Sequence, residues 1–267
     1  MERKLWTREE LILALNLYLK IPFGKITHRN PDIIRLSQLM GRTASSVSMR
    51  LSNFASVDPF HQQRGIKGLT GGIKQVQPIW NEFVGNKEEL LFESEQIMAD
   101  MEKQTIEIKF ATVLEGLEHL KGETKIREVK TRVNQHAFRQ IVLANYSGSC
   151  AITGIDVPDL LIASHIIPWS SNEQERLNPE NGVCLSPLYD KAFDKGLIVI
   201  DTNYQIILSK EIKNRTTKSF YHDHFGKIEG KHIQLPQKYL PKKEFLEWHR
   251  ENVFNECFQN NQSLSLF

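Results

Sequence analysis

The chain has 267 residues, 40% of them hydrophobic and 25% charged, the balance of an ordinary water-soluble protein with enough length for one large core or two modest ones. No apolar run approaches the roughly 20 residues that span a bilayer, and the charged start Met1-Glu2-Arg3-Lys4 has no signal-peptide core, so no membrane partner and a cytoplasmic location are expected. The net charge of +2 hides an asymmetry: residues 1–80 hold 12 Lys/Arg against 5 Asp/Glu, residues 81–120 hold 3 against 10, and residues 121–150 hold 6 against 2. A basic first segment suits a polyphosphate partner, since each cation placed at a phosphate releases counterions; a merely solvated basic surface is the alternative. Cys150, Cys184 and Cys257 are odd in number and form no C-x-x-C pair, which argues against a disulfide framework and a four-cysteine zinc site.

Thr7-Arg8-Glu9-Glu10 reads as a capping box, and Leu11, Leu15, Tyr18 and Leu19 recur at helical spacing, predicting a helix over 7–20. Asn30 as cap and Pro31 at the first helical position open a second helix that stops at Gly41. Thr43 caps a third, through about Phe54, with Val47, Leu51 and Phe54 on its apolar side. Helix, glycine turn, helix is the sequence form of a helix-turn-helix. Its outer face would show Arg42, Ser46 and Arg50, suited to phosphates and base edges. Residues 61–76, with Gly65, Gly68, Gly71 and Gly72, read as a loop or short wing anchored by Trp80 and Phe83.

Residues 86–120 are acidic, free of proline and helical in composition, and read as a connector. The expected organisation is therefore a helical recognition domain over 1–85, an acidic helical connector over 86–130, and a second domain over 131–267. In the last, Gln135 to Leu143 is an amphipathic helix. Cys150-Ala151-Ile152-Thr153-Gly154 starts a hairpin whose second apolar run is Leu160 to Ala163. Val183-Cys184-Leu185 is a short strand. Ser186 and Pro187 open a short helix closed by Gly196, Leu197 to Ile200 is a strand paired with Gln205 to Leu208, and Pro241 introduces a final helix carrying Trp248, His249 and Val253.

The residues around the hairpin carry a chemistry. Hydrolysis of a phosphodiester needs an activated water, a neutraliser for charge on the phosphate and help for the departing oxygen. A histidine can be the base, and a hard divalent cation on oxygen ligands can do the rest. His165 ends the apolar run, where a side chain can be aimed outward. Asn181 could hold its tautomer by accepting from the ring N–H, and Asp190 and Asp194, four apart on a helix, share one face. A satisfied core histidine, an ordinary Asn-Gly turn and plain helix-surface carboxylates are the alternatives at these positions.

The ordering of Ser164-His165-Ile166-Ile167-Pro168-Trp169, Asn181-Gly182 and Asp190-Lys191-Ala192-Phe193-Asp194, flanked by Phe138-Arg139 and the Cys150 to Gly154 turn, resembles the His-Asn-His (HNH) endonucleases of the ββα-metal fold over roughly 132–200. It is similar to the bacterial branch that includes restriction-type nucleases with a fused recognition domain. The resemblance implies an α+β protein, with a helical helix-turn-helix-like N-terminal domain and a C-terminal ββα-metal nuclease domain. It implies His165 as general base, Asn181 as the residue that orients it, and Asp190 or Tyr189 at the third motif position. Two departures stand out. Ser164 occupies the place of a usual Asp or His ligand, and the third position is not histidine. Asp190 still suits Mg²⁺ or Mn²⁺; Asp194, or a distant residue such as His249, would have to complete the metal site.

The expectation is thus a metal-dependent endonuclease of double-stranded DNA that restricts foreign DNA. One metal site per chain implies a homodimer for cutting both strands. Arg139 would join Arg42, Ser46 and Arg50 in meeting DNA, although a salt bridge is equally open to it. The rival readings are a non-catalytic DNA-binding regulator on a degenerate scaffold, or an RNA-directed or structure-selective nuclease.

Overall fold

The computed structural model describes residues 5–254; Cys257 lies outside them. The chain divides into two compact units, Met1–Ile141 and Val142–Phe267. The architecture is α+β: a helical first unit, and a second that combines small antiparallel strand pairs with helices.

The first unit is built from α1 (Arg8–Lys20), α2 (Pro31–Leu39), α3 (Ala44–Val57), α4 (Pro59–Gln63), α5 (Ile73–Phe83), α6 (Lys87–Met101), α7 (Ile106–Lys109) and most of α8 (Gly122–Asn145). The predicted starts are where cap chemistry puts them. Thr7 and Glu10 bond reciprocally, the Asn30 carboxamide receives the Asp32 N–H at 2.9 Å, and Thr43 receives the Ser46 N–H at 3.1 Å. Gly41 ends the second helix at φ 61°, a conformation that costs glycine little. Leu11, Leu15, Tyr18, Ile33, Val47, Leu51, Phe54, Val76, Ile79, Phe83 and Leu90 close one core.

Two expectations change here. Residues 61–76 are not a free loop: α4 ends at Gln63, a 3₁₀ turn covers Thr70–Gly72, and α5 begins at Ile73. The glycines read as loop signals, but Ile73, Val76, Ile79 and Phe83 recur at helical spacing and have a core to enter. Gly72 is needed for close approach, because a Cβ there would fall 2.1 Å from Asn53 Oδ1. The acidic α6 in turn packs against α1, with Leu90 and Leu91 buried and Asn16 donating to Ser94 Oγ at 2.5 Å. Burial pushes the Glu95 carboxyl up, but Lys20 at 3.0 Å and Lys109 at 3.1 Å outweigh it and hold the pKa below its ordinary value.

In the second unit β1 (Ile162–His165) pairs antiparallel with β2 (Gly182–Leu185), Ala163 facing Cys184 and His165 facing Gly182. α9 (Pro187–Asp194) follows and packs on β1 and on β3 (Ile198–Ile200), which pairs with β4 (Ile206–Leu208). α10 (Lys210–Lys213) and α11 (Lys243–His249) complete the unit. The Cys150–Gly154 stretch is a turn, not a hairpin strand. Its Ala151 N–H reaches Cys184 O at 2.7 Å, bracing the sheet edge, while Cys150 Sγ accepts from Ser186 N–H at 3.2 Å. Proline opens α9 without a hydroxyl cap, since Ser186 makes no side-chain cap bond.

Candidate active site

A strand end aims a side chain out of the sheet, and β1 ends on His165. Between β1 and β2 the chain makes a long excursion over 166–181 that is tied to itself. Asn181 Oδ1 accepts from Ile167 N–H at 2.8 Å, and Asn181 Nδ2 donates to Ile167 O and to Glu175 O, each at 3.1 Å. Arg176 Nε donates to Trp169 O at 2.6 Å while its guanidinium lies over the Trp169 ring. This fixes the Arg176 carbonyl 2.8 Å from His165 Nε2. A carbonyl only accepts, so Nε2 carries the proton and Nδ1 is the nitrogen with the lone pair in the neutral ring. The ring N–H therefore donates to Arg176 O, where sequence reasoning had put the Asn181 side chain.

α9 brings Asp190 and Asp194 to the same place. A cleft of about 480 Å³ is lined by Ser164, His165, Asp190, Asp194, Lys195 and His249, among others. Burial lowers the pKa of the half-buried His165, and the Arg176 carbonyl offsets part of that. Burial raises Asp190; the Lys191 charge opposes the rise. Asp194 is raised by burial and then by the Asp190 charge. Ser164 is only 2% exposed and lines the same cleft.

Residues 150–201 match a family model described as HNH endonuclease. The chain carries an HNH endonuclease domain. The match is confined to the second unit and begins at the Cys150 turn, spanning β1, β2, α9 and β3. No curated protein matches the chain.

Within the HNH domain, Tyr189 points away from the cleft chemistry: it is buried and its hydroxyl donates to His224 O at 2.6 Å. Asp190 is the third-position residue that reaches the cleft. HNH nucleases use a divalent ion, and the donor chemistry here fits one: two carboxylates, the Asp190 charge raising the cost of ionising Asp194, and a buried imidazole nitrogen, His249 Nδ1, with no hydrogen-bond partner. Among the described residues no three His, Cys, Asp or Glu side chains form a ready cage. An ion held here would take its remaining ligands from water and phosphate oxygen.

The side chains proposed to meet DNA are all in the first unit and differ in availability. Arg42 is buried against Glu10, with Nη2 2.6 Å from Oε2, and also donates to Leu5 O. Trp6 lies between Arg42 and Arg50, their guanidinium carbons 4.3 and 4.8 Å from its ring centre. Arg50 is half-buried, with Nε and Nη1 lacking hydrogen-bond partners, and burial followed by the Arg42 charge lowers its pKa. Ser46 is half-buried in the first turn of α3, and Arg139 is half-buried on α8. No helix of the described residues is long and apolar enough to cross a membrane.

Sequence reasoning did not find Arg176, which acts through its main chain and leaves no side-chain signal. His249 had one: Phe245, Leu246 and His249 fall on one face of a short amphipathic helix, and all three are buried.

Proposed function

We propose that this chain is a metal-dependent DNA endonuclease that restricts foreign DNA, its helical unit recognising the duplex and its HNH domain cutting it. The observation that carries this reading is the pinned His165 imidazole opening on a cleft shared with Asp190 and Asp194. His165 takes the proton of an attacking water at Nδ1, and the Arg176 carbonyl stabilises the imidazolium that results. Asp190 and Asp194, which both line the cleft, are the carboxylates that would hold Mg²⁺ or Mn²⁺. Such an ion supplies charge stabilisation for the phosphate and the leaving 3′ oxygen. Asn181 is a positioning residue, acting through the excursion that places Arg176 O.

In the first unit, α2, the Gly41 turn and α3 give the reading its recognition element, with Ser46 and Arg50 toward DNA and Arg139 as a further cation. One metal site cuts one strand, so a homodimer follows for a double-strand break. The test is plasmid cleavage in Mg²⁺ or Mn²⁺ with wild type and His165→Ala. Nicking or linearisation by wild type alone supports the reading. Binding without cleavage in every metal rejects it in favour of a DNA-binding regulator. Single-stranded, branched and RNA substrates separate the structure-selective alternative, and a monomeric mass with intact double-strand cutting removes the dimer.

A further inference from the structure

We propose that His249 ligates the divalent ion of the HNH site through Nδ1, supplying the donor that Ser164 does not. The inference rests on the metal-dependent reading above and names a residue outside the segment matched to the HNH family.

His249 ends α11 and lines the same cleft as His165, Asp190 and Asp194. Its ring is 2% exposed and stacks on Phe193, centroids 3.7 Å apart and planes within 2°. Nε2 lies 3.1 Å from Phe193 O, so it is the protonated nitrogen and Nδ1 keeps the lone pair. Nδ1 is buried with no hydrogen-bond partner. A buried acceptor left unsatisfied is costly and uncommon. An imidazole held by a carbonyl at one nitrogen, with the other presenting a lone pair, is the arrangement that protein metal sites use to fix a ligand. The stack and the Nε2 bond already suffice to clamp α9; neither uses Nδ1.

The backbone around it agrees. Directly after His249 the helix widens into a π turn over Arg250–Phe254, and Val253 from that turn also lines the cleft. Such turns concentrate at functional sites. Because no three His, Cys, Asp or Glu side chains among the described residues form a cage, the ion would take His249 and Asp190 from the protein and its remaining ligands from water and phosphate. One nitrogen and one carboxylate oxygen shift preference from Mg²⁺ toward Mn²⁺, Co²⁺ or Ni²⁺.

The experiment titrates full-length, metal-free protein with Mn²⁺ at neutral pH, reading affinity by electron paramagnetic resonance and ¹⁴N coordination by electron spin-echo modulation. Wild type, His249→Gln and Asp190→Asn are compared. The glutamine amide can still donate to Phe193 O but carries no imidazole nitrogen to coordinate the ion or give the modulation. The expected result is an imidazole ¹⁴N modulation in wild type that is lost in His249→Gln, with affinity falling about 10-fold or more and circular dichroism showing that the metal-free variant still folds. Asp190→Asn should weaken binding but keep the modulation. If His249→Gln binds as tightly as wild type with the same ¹⁴N signal, while Asp190→Asn is weakened, His249 ligation is overturned and the nuclease reading stands. If wild type binds no Mn²⁺, both fall. Should His249→Gln fail to fold, the wild-type spectrum decides alone: bound Mn²⁺ without histidine nitrogen overturns the proposal.

Discussion

Asn181 and His165 are coupled through adjacent carbonyls: the asparagine amide donates to Glu175 O at 3.1 Å, and the next carbonyl, Arg176 O, receives the His165 ring at 2.8 Å. The consequence for Asn181→Ala is twofold. The Ile167 N–H and O and the Glu175 O lose their partners in a buried setting, which costs about 3 kcal/mol in urea unfolding. Cleavage rate falls as well, since Arg176 O loses its support. Wild-type stability in this variant would contradict the role given to the amide.

As the proposed general base, His165 would set the acid limb of the pH profile. Burial lowers its pKa, and the Arg176 carbonyl only partly restores it. A base works when neutral, so the acid limb of kcat/KM is expected below the ordinary imidazole pKa of about 6.5. A limb at or above that value would mean that some other group titrates.

His249 makes the metal-free protein acid-sensitive. Burial lowers its pKa to about 4, with the Phe193 carbonyl opposing. Its folded pKa is depressed, so its contribution is fully present above about pH 6.5, where the unfolded ring is neutral. As pH falls from 6.5 to 4 the unfolded chain binds the proton first, and about 3 kcal/mol is lost. Urea unfolding in a chelator should show that slope in wild type and a flatter one in His249→Gln. Parallel curves would show that other groups govern the loss.

Ser164→Ala removes a buried hydroxyl, with no hydrogen-bond partner in the protein, from the cleft that Asp190 lines, where it would support the ligands of a bound ion. The expected outcome is Mn²⁺ affinity lowered about 10-fold with the fold intact, read by titration. Unchanged affinity would reduce Ser164 to a packing residue.

Arg42→Ala is expected to unfold the first unit before it reports on DNA. The variant leaves Glu10 charged and buried without its partner, a loss of about 3–5 kcal/mol. Ser46→Ala, at a half-buried position whose backbone supplies the cap bond, should change stability by under about 0.5 kcal/mol and lower DNA affinity if α3 faces the duplex. Circular dichroism melts alongside gel shifts separate the two.

The local signals were legible because their physics is local. Thr7, Asn30, Thr43 and Gly41 act on neighbours within a turn, and each sits where cap chemistry puts it. His165, Asp190 and Asp194 reach one cleft because strand end and helix face follow from spacing alone. What the sequence hid depends on contacts distant along the chain. Arg176 contributes a carbonyl, which no residue type announces. Arg42 looked like a surface cation until Glu10 and Trp6 closed around it. Gly71 and Gly72 signalled a loop, yet the helix that starts beside them had a core to join. Tyr189 and Asp190 are neighbours in sequence, and only packing sends one toward His224 and the other into the cleft.

The stacked pair Phe193 and His249 joins α9 to α11, helices separated along the chain by β3, β4 and α10. An excised fragment ending where the family match ends, at residue 201, would therefore strip one flank from α9, the helix that carries Asp190 and Asp194. A minimal HNH domain carved from this protein has to carry the downstream chain at least through α11, and sequence surveys restricted to the matched stretch would overlook the ring that braces its helix.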